Sequence, residues 1–271
     1  LLKIRAKKVI VATGSLERPL VFNNNDRPGI MLSSAIKRYA DYYGVVTGQK
    51  NIFFTNNDTA YESAIALNSK GIKVKAIIDI RENPNSEFTK EAEKLDIKIY
   101  RNHTVVDTHG YKKLNKISIM ELSKDGQSFT NTSKITLDCD CLGMAGGWTP
   151  AVHLFTQSGG KLKFRDKDQV FIPNKYPSDQ ISIGSCNGDF ELDEIINNTS
   201  KNLKEFLKIN KTDYDDLNVK FPKDKEIRNI WLLPSYIIPG KTKPFVDYQN
   251  DATANDIKLA LREGFRSIEH V

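Results

Sequence analysis

The sequence has little sulfur chemistry to offer, because its 271 residues include only three cysteines. Two of them, Cys139 and Cys141, are separated by one residue, whereas a redox-active pair has two residues between its cysteines and a structural zinc site needs a second pair. An odd cysteine count in a chain of this length also argues against a disulfide framework. We therefore expect these cysteines to be structural.

Long apolar runs are also missing. No stretch approaches the ~18 apolar residues that a membrane helix needs, and no charged-then-apolar leader is present. The sequence also has few long runs of a single charge sign. Its 40 Lys and Arg are nearly balanced by 34 Asp and Glu, and the two signs are interleaved along stretches such as 90–96. Such interleaving is typical of a solvated surface. The sequence predicts a cytoplasmic protein with no membrane and no nucleic-acid partner.

Signals for a catalytic or metal centre are weak. The four histidines, at positions 103, 109, 153 and 270, are scattered, and none has a second ligand three or four residues away. Ser158-Gly159-Gly160 lacks the glycine pattern of a nucleophile elbow. We predict no metal ligand and no catalytic residue in this chain.

What the chain does contain is a globular composition, 39% hydrophobic, and a length suited to about two domains. A buried strand is predicted at 8–12, ending at Thr13-Gly14, and a helix at 33–43 ending at Gly44. The tyrosines of that helix recur at helical spacing, which predicts core positions: Tyr39, Tyr42 and Tyr43. The sequence starts in a strand pattern and ends without a tail, which favours a piece of a longer polypeptide.

A βαβ unit follows, with a strand at 51–55, a helix to Lys70 and a strand from Val74 to Ile80. A dinucleotide-binding unit has a glycine-rich turn at this point, but residues 55–60 contain no glycine. Asp58 is predicted to cap the helix and to occupy the amides that a phosphate needs. Asp79 alone stands where a ribose-binding acid would. These features weigh against dinucleotide binding by this unit.

An antiparallel meander is predicted after the βαβ unit, over 104–137, and later a strand at 180–185 and a helix to about Leu207. A final helix is predicted from Thr253, which with Asp256 three residues on resembles a capping box. Two strand ends carry glycine turns, with Ala12, Thr13 and Gly14 at the first and Gly184, Asn187 and Gly188 at the second. Such turns let a ligand approach the backbone at the carboxyl edge of a sheet, and we expect the two turns to meet at a common sheet edge. Ordinary strand-to-loop turns remain an equal alternative.

Several longer motifs resemble a known family. AKKVIVATGSLERP, at 6–19, resembles the second strand signature of two-dinucleotide flavoproteins. RPLVFNNNDRPGIM, FFTNNDTAY, GGWTPAVHLFTQSGGKL and above all KPFVDYQNDATANDIKLALREGFRSIEHV together resemble the alpha subunit of heterotetrameric sarcosine oxidase. The resemblance runs over nearly the whole chain and is weakest at 208–225.

The resemblance implies an α/β fold that is part of a two-dinucleotide-binding flavoprotein. Residues 1–45 and 140–207 would be the remnant of a discontinuous Rossmann-type domain, 46–139 an inserted NAD-domain-like module, 208–242 a linker, and 243–271 a segment leading into a folate-binding domain. Ala12, Thr13, Gly14, Gly184, Asn187 and Gly188 would contact the dinucleotide.

The resemblance also implies a reaction and its cofactors. The family demethylates sarcosine to glycine, transfers one carbon to tetrahydrofolate and produces hydrogen peroxide. NAD belongs to the alpha subunit, FMN to the subunit interface, FAD to the beta subunit and tetrahydrofolate to a domain outside this chain, while gamma and delta subunits complete the assembly. The isolated fragment is expected to be inactive.

Other functions stay open. The chain could be the alpha subunit of a related proline, octopine or nopaline dehydrogenase, or a packing module without catalytic function. A stand-alone pyridine-nucleotide disulfide reductase is disfavoured, because it would have a cysteine pair at C-x-x-C or C-x-x-x-x-C spacing.

Overall fold

The computed structural model describes residues 2–209, 227–237 and 240–270. Its strands are β1 (Val9–Val11), β2 (Ser15–Glu17), β3 (Ile30–Leu32), β4 (Asn51–Thr55), β5 (Val74–Asp79), β6 (Lys98–Arg101), β7 (His103–His109), β8 (Lys116–Glu121), β9 (Ile135–Asp138), β10 (Cys141–Ala145), β11 (Trp148–Pro150), β12 (Lys161–Arg165), β13 (Val170–Lys175), β14 (Gln180–Ser182), β15 (Phe245–Asp247) and β16 (Ala252–Thr253). The α-helices are α1 (Ser33–Tyr43), α2 (Thr59–Ser69), α3 (Glu87–Lys94), α4 (His153–Gln157), α5 (Leu192–Leu207) and α6 (Ala254–Arg262).

The chain divides into two compact units. The smaller unit contains Leu1–Arg18 and Trp148–Asp224, and the larger contains Pro19–Gly147 and Lys225–Val271. The sequence predicts boundaries near residues 45 and 140 instead. The difference arises because β3 and β10 pair with the strands of the inserted module in one sheet. Of the predicted linker 208–242, residues 210–226 and 238–239 lie outside the described residues.

The larger unit is built on a parallel five-stranded sheet in the order β3-β10-β4-β5-β6. Because successive side chains on a strand point to opposite faces, neighbouring residues enter different cores. Phe54 and Ile78 pack in the cluster that includes Ile117 of the antiparallel β7-β8-β9 sheet. Phe53 and Ile77 pack in the cluster that includes side chains of α1, α2 and α3. This layering confirms the predicted βαβ unit and meander.

The described part of the smaller unit, which ends at residue 209, has three small sheets. β1 pairs in parallel with β14, β2 pairs antiparallel with β11, and β12 and β13 form a hairpin. A short 3-10 helix, Gly184–Asn187, follows β14 and leads to α5. The unit therefore brings the two ends of its discontinuous sequence together through β1 and β14.

Two predictions about helices have opposite outcomes. Thr253 and Asp256 form the expected capping box at the start of α6, with the amide of each donating to the side chain of the other. The predicted core role of the α1 tyrosines is wrong, because Tyr42 and Tyr43 are 76% and 58% exposed and Tyr39 is 43% exposed. The buried stripe of α1 instead contains Ser33 and Ile36.

None of the helices within the described ranges is long and apolar enough to cross a membrane.

Candidate functional site

The predicted strand-end turns of the smaller unit lie next to each other. Val9 to Val11 of β1 pair in register with Gln180 to Ser182 of β14, and the amide of Ile183 donates to Val11 O at 3.0 Å. Parallel strands present their carboxyl ends at the same sheet edge. The structure thus places the turn at Gly14 beside the turn at Gly184, as the sequence predicts.

Both glycines have backbone conformations that favour glycine, with φ of +75° at Gly14 and +69° at Gly184. A Cβ at Gly14 would come no closer than 3.9 Å to Ser185 Oγ, and one at Gly184 no closer than 3.8 Å to Ile195 Cγ2. The positive φ therefore explains these glycines, while the space around them is left open by the neighbouring side chains.

The residues flanking Gly14 are accessible. Ala12 and Thr13 are exposed, and the Thr13 hydroxyl donates to Ala151 O at 2.6 Å. The amide of Ala151 in turn donates to Gly14 O at 2.9 Å. These bonds fix the turn after β1 and leave the Ala12 and Thr13 surfaces available to a ligand.

Asn187 and Gly188 are engaged in contacts within the unit. The Tyr176 hydroxyl donates to Asn187 Oδ1 at 2.7 Å, and Arg165 Nη2 donates to Gly188 O at 2.6 Å. A Cβ on Gly188 would lie 2.7 Å from Ile172 Cγ2. Close internal packing therefore accounts for the glycine at 188, so this half of the predicted set is less open than Gly14 and Gly184.

A buried polar atom at this edge was not among the predicted site atoms. Asp189 Oδ2, just after the turn, has no hydrogen-bond partner among the described residues, and Gln180 Nε2, which also has none, lies at the opposite, amino end of β14. The other Asp189 oxygen accepts from Asn198 Nδ2 at 2.9 Å. A buried polar atom without a partner is costly, and a bound ligand or water would relieve that cost. Sequence pattern alone gives no signal for either atom.

The strand ends of the larger unit are filled by a charged cluster. Arg81 lies between two carboxylates, with Nη2 2.7 Å from Asp58 Oδ1 and 2.8 Å from Asp79 Oδ2. The Tyr61 hydroxyl also donates to Asp79 Oδ2 at 2.8 Å. All four side chains are nearly inaccessible to solvent. Burial raises the pKa of Tyr61, and the charge of Asp79 raises it further, so this hydroxyl remains a donor.

This cluster corrects the predicted capping role of Asp58, and it engages Asp79, the residue at the position of a ribose-binding acid. Asp58 makes no side-chain capping bond to α2; the amide of Thr59 instead donates to Asn57 Oδ1 at 2.8 Å. The carboxylate of Asp79 is bound by Arg81 and Tyr61 rather than exposed to a ribose. The reason in both cases is Arg81, whose guanidinium supplies charged donors to the two carboxylates.

The cysteines are free and buried, as expected of structural residues: Cys139, Cys141 and Cys186. Burial raises the pKa of Cys139 and of Cys141, which disfavours the reactive thiolate. Within the described residues, no group of three or more His, Cys, Asp or Glu side chains could hold a metal ion.

Comparison with known proteins identifies relatives of the whole chain. Sarcosine oxidase subunit alpha of Corynebacterium sp. (strain P-1) is 32% identical over 99% of this chain and 28% of that protein. The corresponding subunit of Rhizobium meliloti (strain 1021) is 33% identical over 98% of this chain and 26% of that protein. The chain therefore spans about a quarter of the length of these relatives. Residues 241–271 match the family model of the sarcosine oxidase A3 domain.

Solved structures are similar in fold at low sequence identity. L-proline dehydrogenase from P. horikoshii matches 96% of this chain and 46% of its own, with a TM-score of 0.54 and 16% identity. Thioredoxin reductase from Lactococcus lactis matches 75% of this chain and 66% of its own, with a TM-score of 0.55 and 15% identity. The expected α/β fold, a part of a dinucleotide-binding flavoprotein architecture, is confirmed. Together with the sequence matches, these findings make the chain a part-length relative of the sarcosine oxidase alpha subunits.

Proposed function

We propose that this chain is the part of a sarcosine oxidase alpha subunit that supplies one wall of a dinucleotide site. The enzyme would oxidatively demethylate sarcosine to glycine, transfer one carbon to tetrahydrofolate and release hydrogen peroxide. The observation that carries the proposal is the juxtaposition of two glycine turns, at Gly14 and Gly184, on the adjacent parallel strands β1 and β14. Ligands of such sheets bind outside the carboxyl ends of the strands.

The residues present would hold part of an NAD molecule. The exposed backbone at 12–14 and the open turn at Gly184 would line its path, while Asn187 and Gly188 would support that turn from behind through Tyr176 and Arg165. The unsatisfied Asp189 Oδ2 adds an acceptor for a ligand hydroxyl. Bound NAD would stabilise the turns at the carboxyl ends of β1 and β14. No residue of the chain is assigned a catalytic role.

The remaining cofactors and partners follow from the family. We place FMN at an interface with the beta subunit, FAD within the beta subunit, and tetrahydrofolate in a further domain of the alpha subunit. Gamma and delta subunits would complete the complex in the cytoplasm. The 271 residues alone would then have no sarcosine-oxidising activity, since the amine-oxidising flavin lies elsewhere.

The activity is tested with the full-length subunit that contains this chain, purified together with its partner subunits. Sarcosine-dependent oxygen consumption and peroxide formation, with tetrahydrofolate capturing the one-carbon unit, are the expected results. A complex that oxidises proline, octopine or nopaline and leaves sarcosine unchanged would favour the dehydrogenase alternative. Absence of heat on calorimetric titration with both NAD and FAD would favour a packing module.

The site is tested separately by side chains added at open glycines. Gly14→Val should weaken NAD binding by about tenfold or more, because the added methyl groups enter the space along the backbone. Gly159→Val is the matched control: it lies in the same unit, also has a positive φ, and has no neighbour within 4 Å of its Cβ position. Equal effects of the two substitutions on NAD binding would contradict the assigned site.

A further inference from the structure

The five-stranded sheet of the larger unit has the topology of a ligand-binding sheet. Along the chain, β4, β5 and β6 are added in one direction, and β10 and β3 lie on the other side of β4. The strand order therefore reverses between β4 and β10. In open parallel sheets the ligand crevice lies at the carboxyl ends of the strands at this reversal.

The crevice between β4 and β10 is bridged by the polar residues that follow β4. The amide of Asn56 donates to Ala145 O at 3.3 Å, and its side-chain amide donates to Gly146 O at 3.4 Å. Asn57 Nδ2 donates to Asn56 Oδ1 at 2.7 Å, while Asn57 Oδ1 accepts a hydrogen bond from the amide of Thr59. The amide at the start of α2, which a phosphate would use, is already bonded.

A distant part of the chain then covers this edge. The amide of Arg228 donates to Asn56 O at 3.3 Å, and Asn56 Nδ2 donates to Arg228 O at 3.2 Å. The Arg228 guanidinium reaches the residues that follow the next two strands, with Nη1 2.6 Å from Ile80 O and 2.8 Å from Asn102 Oδ1. One arginine thus contacts the carboxyl ends of β4, β5 and β6.

The same guanidinium also binds the turn after β8. Its Nη2 donates to Ser123 O at 3.0 Å and to Lys124 O at 2.9 Å. With these bonds, the guanidinium has four acceptors from three separate parts of the larger unit. The planar fork of arginine suits such divergent acceptors, whereas lysine carries a single charged nitrogen.

Two apolar residues after Arg228 also anchor the segment in the larger unit. Ile230 packs against the core cluster that includes Ile78, and a Cβ on Gly126 would lie 2.6 Å from Ile230 Cδ1. Leu233 is buried in the same cluster, and its amide donates to Val21 O at 3.0 Å. The segment is therefore packed into the unit rather than laid over its surface.

We propose that residues 227–233, latched by Arg228, are a built-in occupant of the ligand crevice of this sheet. The Rossmann-like module of the larger unit is then a dock for its own chain and takes no pyridine nucleotide. NAD does not fit there, because Asn56, Asn57 and Arg228 use the backbone groups at the strand ends and Arg81 neutralises the buried carboxylates. The inference stands independently of the reaction proposed for the whole enzyme.

Hydrogen–deuterium exchange of the full chain tests the latch. Arg228→Met, which keeps length and removes the donors, should speed exchange of peptides covering 227–233 and Asn56 by about tenfold or more, and leave β7 and β8 within about twofold. Arg228→Lys should speed exchange of the same peptides by an intermediate factor. This second variant tests the latch even if Arg228→Met does not fold. Arg262→Met, at the exposed end of α6, is the control and should change neither region. Unchanged exchange at 227–233 in both Arg228 variants would overturn the proposal.

A second arm uses NADH and NADPH as probes on the unmodified chain at about 1 mM, a concentration that detects weak binding. The expected result is no added protection at 55–60 or 79–81. Protection at those peptides would overturn the inference. Protection confined to 12–14 and 184–188 would support both the latch and the site in the smaller unit. No protection at 12–14 and 184–188 would count against the proposed function alone.

Discussion

The carboxyl ends of the parallel strands are open in the smaller unit and filled in the larger unit. In the smaller unit, the strand ends after β1 and β14 have glycines with open surroundings, and the buried Asp189 Oδ2 beside them has no partner among the described residues. In the larger unit, the strand ends after β4 and β5 are filled by asparagines, by a carboxylate–arginine cluster and by Arg228. Parallel strands alone therefore do not make a binding site; the residues that follow them decide whether the edge stays open.

The largest effect is expected from disrupting the charged cluster at the carboxyl ends of β4 and β5. Asp79→Ala removes one of the two carboxylates facing a buried guanidinium, and should lower the free energy of unfolding of the larger unit by about 3 kcal/mol or more. Urea denaturation measures this loss. Asp138→Ala is the control, because its pair with Lys50 is half exposed and should contribute less than about 1 kcal/mol. Equal losses would contradict a buried, interdependent cluster.

The second prediction contrasts packed and open glycines within the smaller unit. Gly188→Ala should cost about 2–3 kcal/mol, because its Cβ would meet Ile172 Cγ2 at 2.7 Å in a positive-φ backbone. Gly184→Ala has a similar φ but open surroundings, so about 1 kcal/mol is expected. Thermal unfolding of both variants measures the difference. A larger loss at Gly184 would show that its surroundings are not open.

The third prediction concerns the polar N-cap residues. One was expected at both α2 and α6, and only Thr253 of α6 makes the capping bond. Thr253→Ala should destabilise α6 by about 1 kcal/mol, and Thr253→Ser should restore most of it. The Thr253 hydroxyl and amide, which donate to Asp256, hold the pKa of that carboxyl below its ordinary value. The stabilisation is therefore complete above about pH 4 and is lost as the pH falls through the lowered pKa.

Circular dichroism and amide exchange of α6 between about pH 2 and pH 6 check this dependence. In Thr253→Ala the loss on acidification should be smaller, because the capping bonds are already missing. An acid response of α6 that is the same in both proteins would contradict the assignment to Asp256.

The smallest effect is expected at the aromatic surface of α1. Tyr42→Ala should change stability by less than about 0.5 kcal/mol, because the side chain is 76% exposed. Ile36→Ala on the same helix should cost about 2–4 kcal/mol, since Ile36 is buried in the core. Urea denaturation of both variants compares the two faces. A large loss at Tyr42 would restore the core role that its spacing predicts.

Local pattern predicted much of the fold. Strands β4 and β5, helices α1 and α2 and the capping box of α6 could be predicted because apolar periodicity and end residues lie within a few neighbouring positions. The hairpin of β12 and β13 was missed although the charged and apolar residues of β12 alternate, because Pro173 inside β13 argues against a strand at the sequence level. Asp58 does lie at the N-cap position of α2, but its predicted capping bond is absent, because N-cap preference is a local signal and its partner, Arg81, is 23 positions away.

The candidate site was only partly predictable. Glycine after an apolar strand predicted the turns at Gly14 and Gly184, and their proximity followed from the parallel arrangement. The predicted burial of β1 is wrong, because Val9 and Ile10 are exposed. That Gly188 is packed against Ile172 depends on a hairpin the sequence did not reveal. The α1 tyrosines show the same limit, because helical spacing identifies a face but not what covers it.

The asparagine triplet after Phe22 has a consequence for how the protein is made. Asn23 Oδ1 accepts from the Thr242 hydroxyl, Asn24 Oδ1 from the amide of Lys243, and Asn25 Oδ1 from the amide of Phe245. These bonds join residues about 220 positions apart, and Asn23 and Asn25 are buried. The larger unit therefore cannot complete these contacts until the ribosome has synthesised the chain past Phe245. Until then, the surface of its N-terminal part that these contacts cover stays exposed and needs protection from aggregation.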